Sequence, residues 1–270
     1  MFTKFYKQIV LFSFVFLVVL SSNCFAYDLR VNPTAEIPQH QTDAVVEGVN
    51  RTLNYMSTVY GKGIDRDIVI NVTSNLGASS VLSSNEINNN VGGKSKEGEI
   101  NLVINPQSTR YYIVFLTAHE LVHQYQLSNY GSYTVLNKNM WFTEGMADYI
   151  GAKVAAPIDT SMFNKFKTNA KVKSSVYNLR LEEITDKASW KYHFSQKHET
   201  YSKADLAMIY LYENYSPLLM FAYFNHLYSE SADEALKNTF NISISELDDA
   251  ITGGYVPTAK GMDDDFFKDF

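Results

Sequence analysis

The chain has 270 residues, 46% hydrophobic and 19% charged, enough to build a full core in one or two domains. A net charge of −6 and the lack of any basic stripe exclude a nucleic-acid-binding surface. A single cysteine excludes an intramolecular disulfide framework, so stability must come from the core and whatever it encloses.

Residues 1–26 read as a secretory signal peptide. Lys4 and Lys7 form a positive start, and Ile9 to Leu20 is an apolar run too short to span a bilayer comfortably. Ser21 to Ala26 ends in a small-x-small pattern, so Tyr27 is expected to open a secreted or periplasmic chain without a lasting membrane anchor. A lipid anchor on Cys24 is the weaker alternative, because Ser21 and Asn23 fit that pattern poorly. Cleavage removes two lysines, no acid and the only cysteine, taking the charge from −6 to −8.

A polar lead, Tyr27 to Gln41, precedes a helix expected to start at Thr42-Asp43. Val45, Val49, Leu53 and Met56 recur in it at helical spacing, and Gly61 and Gly63 end it. Asp67 to Val72 alternates and is β-branched, hence a strand. Residues 73–98, rich in Ser, Asn and Gly, read as a surface insertion in preference to a flap over a cleft. Gly98 to Asn105 reads as a second strand, closed by Pro106.

The run from Thr109 to Leu127 reads as a helix that is apolar almost all round and therefore buried. It contains Ala118-His119-Glu120-Leu121-Val122-His123. Residues four apart share a helix face, so His119 and His123 can offer two imidazole nitrogens to one Zn2+ ion. Glu120, one step round, is within reach of a water at the ion's open position, where a general base belongs. Buried histidines and a buried glutamate need partners, and a metal supplies them.

Twenty residues separate His123 from Glu144, which lies in a second helix expected from Met140 to Ala155 and ended by Pro157. Glu144 would complete a His2Glu site with one position left open. Asp148 lies on the same face, four residues on, and can accept the second ring N–H of a ligand histidine. Gly145 and Ala147 are small enough to let the two metal-binding helices approach.

HExxH followed by Trp141-x-x-Glu144-Gly145-x-Ala147-Asp148 resembles the gluzincin zinc metallopeptidases, which include thermolysin-like enzymes and the gluzincin aminopeptidases. The resemblance implies His119, His123 and Glu144 as zinc ligands, Glu120 as catalytic base, and Asp148 as the support of a ligand histidine. It also implies that the strand ahead of the HExxH helix is a sheet margin that takes an extended peptide by strand addition. The Gly-x-Met-Glu-Asn motif of gluzincin aminopeptidases has no match in Gly98 to Asn105, which favours an endopeptidase.

Residues 156–195 are weakly patterned, and Lys165, Lys167, Lys171 and Lys173 read as a solvated helix face. Tyr201-Ser202-Lys203-Ala204 is similar to a downstream gluzincin helix whose tyrosine donates to the oxyanion. Tyr201 is the matching residue, with His198 as the alternative donor. Pro217 to Tyr228, Ser231 to Thr239 and a segment capped by Ser243 or Ser245 read as further helices. The tail, residues 261–270, is acidic and aromatic.

The expected architecture is α+β, with residues 27–260 as one zincin-like catalytic domain. A small mixed sheet packs on the HExxH helix, and the C-terminal half is mainly helical. The expected activity is Zn2+-dependent hydrolysis of a peptide or protein substrate. A zinc-bearing binding protein that does not cleave, and an effector specific for one target protein, are the alternatives.

Overall fold

The β-branched stretches join two less obvious ones in a four-stranded sheet in the computed structural model, which describes residues 28–74, 92–130 and 132–253. The expected signal peptide, residues 75–91 of the expected insertion and the tail lie outside the described residues. The strands are β1 (Leu29–Pro33), β2 (Ile68–Ser74), β3 (Gly93–Lys96) and β4 (Glu99–Ile104), in the order β1-β2-β4-β3. β1, β2 and β4 are parallel, with Val31 opposite Ile70 and Ile70 opposite Ile100. β3 runs antiparallel to β4, with Ser95 opposite Ile100.

Three expectations are corrected here. The polar lead contains β1, and the stretch 73–98 contains the end of β2 and all of β3. The strand ahead of the HExxH helix, β4, is interior and largely buried, so among the described residues the sheet margin on that side is β3, with β1 at the opposite margin. The cause is local. Gly98 adopts a φ of 73°, which an L side chain rarely tolerates, and the chain there folds β3 back on β4.

Helix α1 (Gln39–Tyr60) is the crossover between the parallel strands β1 and β2. It starts three residues before the expected Thr42, behind Pro38, whose ring presets φ for a first turn. It ends as expected at Gly61, left-handed at φ 61°, whose N–H closes on the carbonyls of Met56 and Ser57.

Beyond the sheet come α2 (Arg110–Tyr130), α3 (Tyr133–Leu136) and α4 (Met140–Ala155), then α5 (Thr160–Ser174), a 3-10 turn (Leu181–Ile184) and α6 (Lys187–Ser195). The chain continues through α7 (Thr200–Asn214), α8 (Leu218–Ser229), α9 (Ala232–Phe240) and α10 (Ile244–Thr252). The weakly patterned stretch thus holds two helices, each started by an aspartate cap, Asp159 and Asp186. Ser231 and Ser243 each form a reciprocal capping box with a glutamate three residues on.

α2 is buried on nearly every side, packed against α1, the sheet and α4. Small residues set the approach distances, but not as expected. Gly151 brings α4 onto α2, since a Cβ there would lie 3.0 Å from the Phe115 carbonyl oxygen. Gly145 instead faces α7, where a Cβ would lie 2.8 Å from the Ala204 carbonyl oxygen. α10 is fastened to α7 by a buried ion pair, Lys203 Nζ to Asp248 Oδ1 at 2.7 Å. No helix among the described residues is long and apolar enough to cross a membrane.

Candidate metal centre

The side chain of Asn139 accepts from the Phe142 N–H and starts α4. Glu144 and Asp148 then lie one turn apart, on the face of α4 that meets α2. His119 and His123, one turn apart on α2, face them with their rings edge to face. The two histidine Nε2 atoms are 3.1 Å apart, and each is 3.6–3.7 Å from Glu144 Oε2. These three ligand atoms all fall within 4.8 Å of one another, and the group can hold a metal ion.

The other ring nitrogens fix the tautomers. His119 Nδ1 donates to Asp148 Oδ1 at 2.7 Å. His123 Nδ1 donates to Gln126 Oε1 at 2.8 Å, and the Gln126 amide is itself oriented by donating to the Thr143 carbonyl at 3.0 Å. With both protons on Nδ1, both Nε2 lone pairs point at the same space beside a carboxylate. Two lone pairs at this distance repel unless a cation lies between them, so the donor set fits a metal. Two imidazole nitrogens and a carboxylate oxygen are donors that suit a divalent metal ion.

In the metal-free chain the surrounding charges favour a second proton on the imidazoles, which a metal would displace to free the Nε2 lone pairs. Burial alone lowers His119, but Asp148, Glu120 and Glu144 outweigh it and hold the imidazole up at about 9. Burial likewise lowers His123, and Glu144 more than offsets it. Burial raises Glu144, but His123 and His119 bring it below the usual carboxylate range. Glu120 goes the other way: burial raises it, and the two histidines only partly compensate.

Glu120 is 4% exposed and lies beneath the margin strand. A Cβ on Gly93 would come within 2.5 Å of its Oε1. Strand β3 is pinned over α2 by Gln124, whose amide donates to Ser95 Oγ and to the Lys96 carbonyl at 2.7 Å, while its Oε1 accepts from the Gly98 N–H. The Tyr133 hydroxyl donates to the Ser95 carbonyl at 2.8 Å. Burial, then the nearby Glu120 charge, pushes that phenol up to about 12.

Of the two oxyanion-donor candidates, it is Tyr201 that reaches the ligands, its hydroxyl donating to Glu144 Oε2 at 3.4 Å. Trp190 and Phe194 of α6 pack edge-on against its ring. His198 is engaged elsewhere, with His193 at 3.0 Å and beside the Tyr177 ring.

Sequence reasoning thus reached His119, Glu120, His123, Glu144 and Asp148, which the fold brings together, and Tyr201 at their edge. It missed Gln124, Gln126, Tyr133 and Gly93. A signal existed for the two glutamines, since amides on a helix apolar all round must find buried partners. No protein-family model matches the chain, and no curated protein matches it in sequence.

Proposed function

We propose that the chain is an exported zinc-dependent peptidase of the gluzincin type, acting as an endopeptidase on peptide or protein substrates. The observation that carries this reading is the convergence of His119 Nε2, His123 Nε2 and Glu144 Oε2, with both tautomers fixed and the buried Glu120 alongside. A Zn2+ ion held there supplies an activated water and polarises a scissile carbonyl. Glu120 takes a proton from the attacking water and delivers it to the departing amine nitrogen. Burial raises its pKa, which makes it a stronger proton acceptor than an exposed carboxylate. Tyr201 keeps its proton, because burial and Glu144 raise its pKa, and it donates to the developing oxyanion. One such donor contributes about 2.7–4 kcal/mol to the barrier.

The strand-addition role expected of Gly98 to Asn105 passes to β3, the margin above Glu120. β3 reads Gly93-Lys94-Ser95-Lys96 and has no acidic residue to hold a substrate's free amino group, which favours internal cleavage.

The test is metal content of the purified chain, paired with cleavage of casein with and without a chelator. One equivalent of zinc, chelator-sensitive cleavage at internal bonds, and a Glu120→Gln variant that keeps zinc but loses turnover are the expected results. Absence of metal from folded protein, or full activity in Glu120→Gln, overturns the reading.

A further inference from the structure

Asp205 is an acid in the apolar run Ala204-Asp205-Leu206-Ala207-Met208 of α7, and it is 3% exposed. Such a group needs a partner. The side chain it interacts with is that of Asp148, and no donor among the described residues reaches its Oδ1. The encounter is enforced by the backbone. Gly145, three residues before Asp148, has no Cβ, and α7 lies against it at Ala204 and Met208, the residues flanking Asp205. Any side chain at 145 would lift α7 away and separate the two carboxyls.

Two ionised carboxylates are acceptors only and cannot bond each other, so one of the pair must carry a proton. Asp148 already accepts from His119 Nδ1 through its Oδ1 at 2.7 Å, a role that calls for the charged form. The proton therefore belongs to Asp205. Burial, with Asp148 adding to it, raises its pKa far above the usual carboxylate range, in agreement with the geometry.

We propose that Asp205 is a positioning residue of the metal centre, its carboxyl O–H donating to Asp148 and so holding the carboxylate that orients His119. The chain of contacts runs Asp205, Asp148, His119, and it crosses from α7 through α4 to α2. An outer hydrogen bond of this kind fixes the ring direction and keeps the ligand nitrogen basic. This inference rests on the metal-centre reading above and assigns it a residue that no ligand pattern contains.

The test is Zn2+ affinity of the full chain, measured by competition with a chromophoric chelator, for wild type, Asp205→Ala, Asp205→Asn, Asp148→Asn and Asp148→Asn/Asp205→Ala. Removing the donor in Asp205→Ala should weaken Zn2+ binding by about 10–100-fold. Asp205→Asn retains an N–H donor of the same shape and should bind within about threefold of wild type by the same argument. The double variant should bind no more weakly than Asp148→Asn alone. Wild-type affinity in Asp205→Ala overturns the assignment, and so does an Asp205→Asn variant that fails to fold or binds as weakly as Asp205→Ala. If wild type itself binds no Zn2+, the metal-centre reading fails, a result distinct from wild-type binding with an unaltered Asp205→Ala.

Discussion

Gly93→Ala is the most direct probe of how the margin strand and the proposed base fit together. The added Cβ would lie 2.5 Å from Glu120 Oε1 and 2.8 Å from both its Cδ and Cγ, where ordinary contact starts at 3.4 Å. Turning the terminal carboxylate relieves only the oxygen. The stem of Glu120 or the strand itself must therefore move by about 0.6 Å or more, an overpacking strain of about 1–3 kcal/mol. Gln124 ties Ser95 and Lys96 to α2, so the strand does not lift freely, and most of the movement falls on Glu120. A misplacement approaching 1 Å at a reacting group costs about 100-fold, so kcat/KM should fall by about 10–100-fold. Zinc content should stay at wild type, because the three atoms nearest the added Cβ all belong to Glu120 and none to His119, His123 or Glu144. Initial rates on labelled casein, metal analysis and urea unfolding of the same preparation measure the three quantities. A rate within twofold of wild type would refute the claim that β3 bears on Glu120.

Two further predictions come from the charged groups. In the metal-free chain the combined carboxylates hold His119 at about 9, and only neutral imidazole ligates. Zinc must therefore displace a proton at neutral pH. Affinity should climb by up to about tenfold per pH unit towards pH 9 and then level off, and titration calorimetry in buffers of different ionisation enthalpy should register the released proton. A flat affinity from about pH 6.5 to 8.5 would contradict this. Lys203→Met strands Asp248 in the interior, where both partners are at most 5% exposed and Arg180 Nε remains at 3.5 Å. The cost should be about 3 kcal/mol in urea unfolding with Zn2+ affinity unchanged, and a loss under about 1 kcal/mol would show that the pair contributes little.

What the sequence revealed, and what it hid, follows from the range of the forces involved. His119, His123, Glu144 and Asp148 were legible because helical periodicity alone puts residues four apart on one face, and imidazole and carboxylate are donors that a metal ion can share. β3 was illegible because Gly-Lys-Ser-Lys has no alternation. It becomes a strand through a glycine turn at Gly98 and the amide of Gln124, a contact 28 residues away along the chain at Lys96. The expectation that β4 forms the margin failed for the same reason, since strand order is a property of pairings rather than of any one segment. Likewise Gly145 was assigned to the wrong neighbour: a small residue announces a close approach but not the partner, and the partner was α7 rather than α2. Buried polar groups carry more information than such small residues do. Gln124, Gln126 and Asp205 each interrupt an apolar helix, and an unpaired buried amide or carboxyl is too costly to leave alone. Each therefore marks a long-range partner in advance. The three partners are the β3–β4 hairpin, the ligand His123 and the supporting Asp148. All three lie in or beside the His119, His123 and Glu144 group, so under the proposed reading the residues that least suit their helices are the ones that aim it.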